Sequence, residues 1–381
     1  MSQTKAQLVS GTTAQDLTVD NINTTSINSG QVFGRKNLLM NPGFTVFQRF
    51  LPGSQAAITG SYIYVMDRWF GRGENSSAVF NVTQTDIQSE GQNAHASLKV
   101  TVTTSTTPGS GDVFQVGQFI EGRNINHVNL GNSDCKPLTL SFYVKSSITG
   151  THSGSLMNNA RDRSFPFSYT ISVADTWEKK TISIPAITVG TWERGTSIGL
   201  RVYWDMGTGS GKRAAAGSWI NARAVGVTGA VQLVATNSAT WSLHSPQLEV
   251  GTTATDFEQR SYPEEEAICQ RYFYGHARGA NNSIGVGVLY QDNNLFTFVK
   301  LPVEMRAAPS LEVSSGSGHF TAYSNGSNDD FNTFSSAWNI TNTQASMNAY
   351  SADGLSGRSA GHSAMVITSN SDAHLGFKAE L

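Results

Sequence analysis

The chain has 381 residues, of which 14% are charged and 37 are glycine, and its formal net charge at pH 7 is −2. This length can hold two or three domains. The low charge, with abundant Gly, Ser, Thr and Asn, is typical of turn-rich β proteins and unlike helical cytosolic enzymes. A net charge so close to zero offers no basic surface for a polyanion, so nucleic acid is not an expected partner.

Signals of membrane insertion, export and disulfide bonding are missing from the sequence. No run of 18 apolar residues occurs, and the first seven residues, MSQTKAQ, are polar and unlike a signal peptide. We therefore expect a protein that stays soluble in the cytoplasm where it is made. Cys135 and Cys269 are too few and too far apart for a disulfide framework or a metal cluster, so both are expected to be packed thiols.

Residues 1–33 differ in composition from the rest of the chain. Short apolar residues at Leu17, Val19, Ile22 and Ile27 alternate with polar ones, and no large aromatic residue precedes Phe33. Such a segment cannot bury enough apolar surface to fold alone. It is either a disordered tail or a segment that becomes ordered by pairing with its own copies or with another protein.

Residues 34–262 are predicted to form an antiparallel β-sandwich. Trp69 and Trp241 are expected to pack in its core, and Asp67 and Arg68 are expected to form an internal ion pair. The strand prediction rests on alternation of apolar and polar residues between Gly, Pro, Asn or Asp turn residues. The stretches with this pattern are 97–104, 138–147, 167–173, 179–187, 197–206 and 230–236.

The remaining residues predict a short helix followed by a second β-rich domain. In residues 263–274, PEEEAICQRYFY, the proline suits a first helical turn and the glutamates oppose the helix dipole. We interpret this stretch as a linker helix. Residues 275–381 are predicted to form a C-terminal tip domain with strands at SIGVGVLY, LFTFVKLPV, SLEVSS and SAMVITS, and with a Gly-, Ser- and Asn-rich loop over 321–339.

Enzyme-like strings fail on spacing. GTGSGKR (207–213) lacks the glycine spacing and the hydroxyl residue after lysine that a phosphate-binding loop needs, and GHSAM (361–365) lacks the second glycine of a nucleophile elbow. The 8 histidines show no zinc-ligand spacing. Paired carboxylates could still serve a glycosidase, but Glu264–Glu266 are explained by the helix start. Catalysis is therefore not expected.

Several blocks of the sequence resemble tail fibres and similar receptor-binding proteins of tailed bacteriophages. The chain departs from the usual pattern at Pro42-Gly43, at Phe47 where Trp is common, at Phe50 in place of Gly, and at Lys378 in place of Asp. The blocks are RKNLLMNPGFTVF (35–47), YVMDRWF (64–70), QLEVGTTATDFEQR (247–260), CQRYFY (269–274) and LGFKAEL (375–381).

This resemblance implies a jelly-roll carbohydrate-binding-like module closed by its first strand, NLLMNPGF, and its last, SLHSPQLEVG. It also implies a structural virion protein: a homotrimeric tail fibre that is assembled in the bacterial host cytoplasm. Such a fibre would dock to a phage tail or baseplate protein through residues 1–33 and attach to host surface polysaccharide without catalysis. The alternatives are a capsid-surface fibre or decoration protein and a glycan-cleaving depolymerase.

Two sets of residues are candidates for sugar recognition, which needs flat aromatic faces and amide or carboxylate groups. Loops on a rigid β scaffold are where such contacts usually lie, although the tip set is also explained as plain soluble turns. In the sandwich, the candidates border Gly-rich loops and are expected to expose a ring face: Trp192, Trp204 and Trp219. In the tip, they are Tyr323, Asn325, Asn328, Asp329 and Trp338.

The resemblance also implies a structural calcium ion, because jelly-roll sugar-binding modules often hold one near their first and last strands. Asn41, Asp256 and Glu258 lie at suitable ends of the predicted domain and are the candidate ligands. No other cofactor is expected.

Overall fold

The computed structural model describes residues 35–49, 55–74, 78–90, 92, 94, 96–336 and 339–381. The described residues form β-strands packed around two large hydrophobic cores, one drawn from residues 38–248 and the other from residues 277–379. The predicted all-β class is confirmed. The predicted docking segment, residues 1–33, lies outside the described residues.

The first core lies between two six-stranded antiparallel sheets, here called the front and back sheets. In spatial order, the front sheet consists of β1 (Gln55–Ile58), β4 (Val79–Asp86), β5 (Ala96–Thr104), β14 (Thr240–Val250), β7 (Leu138–Ser146) and β10 (Glu178–Ile184). The back sheet consists of β2 (Ile63–Met66), β3 (Trp69–Glu74), β6 (Val113–Glu121), β11 (Ile198–Thr208), β8 (Gly150–Met157) and β9 (Ser164–Ile171). The short elements beside them are α1 (Gly122–Ile125), β12 (Arg213–Ala214) and β13 (Gly226–Val227).

Alternation along the strands explains which side chains fill this core. In β7, Leu138, Leu140, Phe142 and Val144 are buried in the core, and the residues between them face outward. Trp69 and Trp241 are fully buried, so their predicted core positions are confirmed. Burial of such large rings makes a major contribution to sandwich stability.

Two predicted strands of the sandwich differ from the structure. Residues 230–236 form a 3₁₀ turn, Leu233–Ala235, in which two neighbouring residues are both buried, a pattern that no strand facing one core would give. Residues 37–44 form a tight loop instead of a first strand. The Leu38 N–H nevertheless donates to the Leu248 carbonyl at 2.8 Å, so the two ends of the module do lie together.

A nine-residue helix, α2 (Tyr262–Gln270), follows the sandwich where a helix was predicted. It ends earlier than predicted, since Phe273 already begins a strand. Glu265 and Cys269 are buried on the face of the helix that packs against the rest of the chain. The prediction of a packed thiol at Cys269 is therefore confirmed. Within the described residues, no helix has the length and apolar character needed to cross a membrane.

The second core is enclosed by a three-stranded and a seven-stranded sheet. The first contains β15 (Phe273–Arg278), β24 (His374–Lys378) and β18 (Ser310–Val313). The second, here called the tip sheet, contains β20 (Ser327–Phe331), β19 (Phe320–Ser324), β23 (Ser363–Thr368), β16 (Ser283–Gln291), β17 (Asn294–Lys300), β22 (Gln344–Ala349) and β21 (Ser335–Ser336).

The predicted loop over 321–339 is wrong for most of its length. Strands β19 and β20 form a hairpin whose turn is Asn325-Gly326, and both turn residues have positive φ, 52° and 71°. An Asn-Gly pair between alternating residues is the strongest short-range hairpin signal. The high content of Gly, Ser and Asn favoured the loop prediction over the hairpin, because these residues are also typical of loops.

The expected Asp67–Arg68 ion pair is also wrong. These two residues form the turn between β2 and β3, and Arg68 has a φ of 70°, so the two side chains leave the turn in different directions. The Asp67 carboxylate accepts hydrogen bonds from the backbone and side-chain amides of Gln48 at 2.7 and 2.8 Å. Arg68 instead pairs with Glu380 of the second unit.

Charged side chains from both units meet where the units touch, at a region here called the joint. The Arg271 guanidinium binds the Glu121 carboxylate through two hydrogen bonds of 3.0 and 2.7 Å, and the Tyr272 hydroxyl donates to the same carboxylate at 2.7 Å. Arg306 of the second unit donates to the carbonyl of Thr196 in the sandwich at 2.9 Å. The second unit is thus fixed to the sandwich by specific buried polar contacts.

Candidate functional site

The outer surface of the front sheet carries a cleft of about 280 Å³ over strands β7 and β14. A second cavity of about 500 Å³ adjoins it and shares part of its wall. Together they lie in the size range of ligand pockets. The cleft is lined by Gln92, Ser141, Phe142, Tyr143, Lys179, His244, Ser245, Thr255, Asp256, Phe257 and Gln259.

Two aromatic rings form the floor of the cleft. Tyr143 and His244 are directly opposite each other in the β7–β14 ladder, and their rings stack with centroids 4.6 Å apart and planes 8° from parallel. Immediately after His244 the ladder is interrupted by a bulge, where Ser245 has a φ of 48°. Bulges re-aim side chains and are common beside binding sites.

The imidazole of His244 is buried yet incompletely hydrogen-bonded. Its Nδ1 lies 3.1 Å from the Ser245 hydroxyl, while its Nε2 has no hydrogen-bond partner within the described part of the chain. Burial lowers the pKa of His244 to about 4, so the ring is neutral at pH 7. A neutral imidazole has one N–H donor and one acceptor nitrogen, which suits contact with a hydroxyl group.

A polar and aromatic cluster packs against His244 beside the cleft. The Trp177 Nε1 and the Lys145 ammonium both donate to the Glu90 carboxylate at 2.6 Å. The Trp177 ring lies edge-on to His244, with centroids 4.5 Å apart, and the Lys145 ammonium lies 4.9 Å from the Trp177 ring centre. These contacts hold the indole in one position and neutralise the charge of Glu90.

One wall of the cleft comes from the segment that follows β14. This segment places the Phe257 ring and the Gln259 amide at both the cleft and the adjoining cavity. The exposed Asp256 lines the cleft. Lys179, on β10, extends over the Tyr143 ring at 5.9 Å. The cleft therefore combines aromatic surface, amides, one ammonium and one carboxylate, all able to contact a polyhydroxylated ligand.

The three sandwich tryptophans predicted to bind sugar lie elsewhere. Trp204 is fully buried between the sheets and Trp192 is only 8% exposed, so the expectation that either presents an open ring face is wrong. The glycines beside Trp192 permit close packing: a Cβ at Gly131 would lie 2.6 Å from the indole. Trp219 is half-buried and packs edge-to-face on Trp192 at 5.6 Å.

The tip candidates come together on the β19–β20 hairpin. Tyr323 and Asn328 are opposite each other on its two strands and both are exposed, with Asn325 at the turn. The Asp329 carboxylate is engaged by Ser356, whose N–H donates at 2.5 Å, so this carboxylate has a structural role. Trp338 lies outside the described residues.

The position predicted for calcium is filled by an arginine. The Arg260 guanidinium, almost fully buried, donates to the carbonyls of Asn37 and Leu39 at 2.5 and 3.2 Å and to the carboxylates of Glu258 and Glu265 at 2.9 and 3.3 Å. Carbonyls and carboxylates at the junction of the module's two ends are the ligand set expected for a cation. Here, the cation is the guanidinium.

Neither of the other two candidate calcium ligands forms a cation site: the side chain of Asn41 is already hydrogen-bonded, and that of Asp256 is exposed. The Asn41 side chain accepts from the backbone N–H of Thr45 and Val46 and donates to the carbonyls of Val46 and Asp67, so it joins its own loop to the β2–β3 turn. The Asp256 side chain is exposed. No cluster of three or more His, Cys, Asp or Glu suited to a metal occurs in the described residues. The predicted calcium site is therefore wrong.

We expect neither EDTA nor added calcium chloride to move the thermal unfolding midpoint. A metal that binds the native state raises stability by roughly 2.7 kcal/mol at 100 times its dissociation constant, whereas a guanidinium is not removed by a chelator. Differential scanning calorimetry in both solutions checks this. A midpoint that falls in EDTA and recovers with calcium would contradict the assignment of Arg260 as the resident cation.

Sequence inspection missed the residues that form the cleft. Tyr143 and His244 were not singled out, although Tyr143 is an aromatic residue at an outward position of a strand whose inward residues Leu138, Leu140, Phe142 and Val144 are apolar. An outward aromatic residue by itself does not indicate a site. The partner, His244, lies about 100 residues away in sequence, and only strand pairing brings the two together.

Comparisons with known proteins found structural likenesses only. No family model matches the chain, and no curated protein matches it. Its structure is similar to the enzymatically active domain of bacteriophage CBA120 tailspike protein 4, with 10% identity, 48% of this chain covered and a TM-score of 0.28. This chain covers only 19% of that tailspike chain.

Two further likenesses cover nearly all of the other chain. One is a family 11 carbohydrate-binding module of Clostridium thermocellum, with 12% identity, 51% of this chain and 98% of that chain covered, and a TM-score of 0.25. The other is a putative sugar-binding protein from Bacteroides thetaiotaomicron, with 13% identity, 57% and 100% covered, and a TM-score of 0.30. At such low TM-scores, these likenesses decide nothing about what this chain binds.

Proposed function

We propose that this chain is a glycan-binding protein and that the cleft over Tyr143 and His244 is its sugar site. The observation that carries the proposal is a cleft whose floor is the stacked Tyr143–His244 pair and whose walls hold Lys179, Asp256 and Gln259. These three side chains offer an ammonium, a carboxylate and an amide to sugar hydroxyls. The rings of the floor provide apolar surface against which sugar C–H groups pack.

We further propose that binding is not accompanied by cleavage. Glycoside hydrolysis ordinarily needs two carboxyl groups on opposite sides of the scissile bond. Among the described residues that line the cleft, Asp256 is the only carboxylate. Glu258 and Glu265 line the adjoining cavity but both bind Arg260, and the nearby Glu90 pairs with Lys145. These features favour recognition over a depolymerase.

Replacement of Tyr143 by Ala is expected to weaken glycan binding about 10-fold or more, because the loss of a packing ring removes on the order of 1.5 kcal/mol. Binding of labelled protein to host cells, before and after periodate oxidation of surface glycans, measures the effect. Val189→Ala is the control, since that valine is exposed on the sandwich and does not line the cleft. Unchanged binding in Tyr143→Ala would show that the sugar site lies elsewhere.

At the level of the whole particle, we propose a virion protein that serves as a homotrimeric phage tail fibre, the role implied by the sequence blocks at 35–47, 64–70 and 247–274. Several weak sugar sites on one oligomer act together through multivalency, so modest affinity per site suffices for attachment. A capsid-surface fibre remains the second candidate, because the two roles differ only in what residues 1–33 bind.

Deletion of residues 1–33 is expected to leave a folded, glycan-binding protein that no longer assembles onto virions, because the folded cores begin only at Leu38. Immunoblotting of purified particles from a complemented mutant phage measures incorporation. Truncated protein that persists on particles would contradict docking through this segment, and gold labelling of full-length protein at the head would favour the capsid alternative.

A further inference from the structure

The outer face of the tip sheet exposes an unusual number of large apolar side chains. Each is between 42% and 68% exposed, and all lie on four neighbouring strands, β19, β23, β16 and β17. Together they are here called the tip face, and they are Tyr323, Met365, Val286, Val288, Tyr290 and Phe298.

Strand register makes this face continuous. Tyr323 pairs with Met365, and Met365 pairs with Val286, so three of the side chains form one row across three strands. Val288 and Tyr290 follow Val286 at alternate positions of β16 and therefore point to the same side. Phe298 extends the face on the adjoining strand β17.

The tip face is as large as the largest apolar patches of monomeric proteins and approaches one side of a standard protein interface. With side-chain areas of roughly 150–250 Å² for large residues, its exposed apolar area is on the order of 600 Å². A standard interface buries about 800 Å² per partner, and the largest apolar patch of an ordinary monomer is about 300–600 Å². The residues at the rim of the six side chains would supply the remaining area that an interface buries.

The charge distribution indicates what covers this face. On its four strands the only charged residue is Lys300, at the end of β17. A lipid surface would require a basic rim. A glycan would require more hydrogen-bonding groups than the two tyrosine hydroxyls of these strands and the Asn328 amide at their edge. A second copy of the chain presents the same uncharged, apolar surface, and a net charge of only −2 opposes association weakly.

We infer that the tip face is the surface through which copies of this chain associate with one another. This inference rests on the association of copies proposed above, but it does not depend on glycan binding. Apolar surface is removed from water in the oligomer, and the residues of the face are matched by those of a neighbouring copy.

Sedimentation velocity of the full-length chain tests the inference. Wild type is expected to sediment as an oligomer, and Val286→Glu and Phe298→Glu are expected to associate at least about 100-fold more weakly, because like charges would face each other across the interface. Matched controls are Val173→Glu and Val189→Glu, which change equally exposed valines of the sandwich. These controls should retain the oligomer mass.

Three results would overturn the inference: a wild type that stays monomeric at micromolar concentrations and above, tip-face variants that retain the oligomer mass, or controls that lose it. If either Glu variant misfolds by circular dichroism, Val286→Thr and Phe298→Thr keep strand propensity and should still weaken association. Single-site glycan affinity, measured on the same samples, should not change. Intact association without glycan binding would sink the proposed sugar site alone.

Discussion

Replacing Glu380 by Gln is expected to lower the free energy of unfolding by about 3–5 kcal/mol, since it leaves the Arg68 guanidinium buried without a counter-charge. Arg68 is 1% exposed, stacks on the Tyr272 ring with its guanidinium carbon 3.6 Å from the ring centre, and pairs with Glu380. Glu380 also binds Arg49 at 3.1 Å. Both arginines belong to the sandwich and Glu380 belongs to the second unit, so the substitution removes ion pairs that join the two units.

Denaturant unfolding followed by near-ultraviolet circular dichroism measures the loss. Glu312→Gln is the matched control: it also pairs with Arg49, at 3.5 Å, but it is about a third exposed, and such a pair contributes within about 1 kcal/mol. The double variant Arg68→Met, Glu380→Gln should recover part of the loss, because its Arg68 charge is no longer buried. Equal losses in Glu380→Gln and Glu312→Gln would show that the joint is open to solvent.

The sequence blocks that resemble phage fibres converge on two buried clusters. Residues of NLLMN and FEQR surround the Arg260 guanidinium at the closure of the sandwich, and Gln247 of QLE accepts from the Glu258 N–H beside it. Residues of DRW, CQRYF and KAEL meet at the joint, through Arg68, Tyr272 and Glu380. The blocks therefore record how the module closes and how the second unit is fixed to it. None of them contributes the Tyr143–His244 floor.

Alternation sufficed for five of the six alternating stretches of the sandwich and for the inward residues of β7, because period-2 burial is a local property. Alternation could not predict contacts that depend on which strands pair across long sequence separations. The partner of Arg68 lies more than 300 residues away, and the burial of Trp204 follows from the register of β11 within the back sheet. Flanking glycines suggested exposure for Trp192, whereas they allow close packing.

The environments of two buried tryptophans lead to the second large effect. Trp69 and Trp204 are both fully buried and their ring centroids lie 5.7 Å apart in the sandwich core. The Trp69 Nε1 donates to the carbonyls of Met40 and Asn41 at 3.0 and 2.9 Å. The Trp204 Nε1, by contrast, has no hydrogen-bond partner among the described residues. The two tryptophans thus fill the same core and differ in one respect: the indole N–H of Trp69 is hydrogen-bonded, and that of Trp204 is not, within the described part of the chain.

Trp69→Ala and Trp204→Ala are each expected to cost about 3–5 kcal/mol, as deletions of a core ring. The Phe variants separate packing from hydrogen bonding. Trp69→Phe should cost about 1 kcal/mol more than Trp204→Phe, because it removes a buried hydrogen bond to two carbonyls that keep other donors, whereas Trp204→Phe removes an N–H that bonds to nothing. Denaturant unfolding of the four variants measures the differences. If Trp204→Phe proves as costly as Trp69→Phe, the Trp204 N–H must have a partner, and the polar loop of residues 40–41 is not what makes Trp69 distinctive.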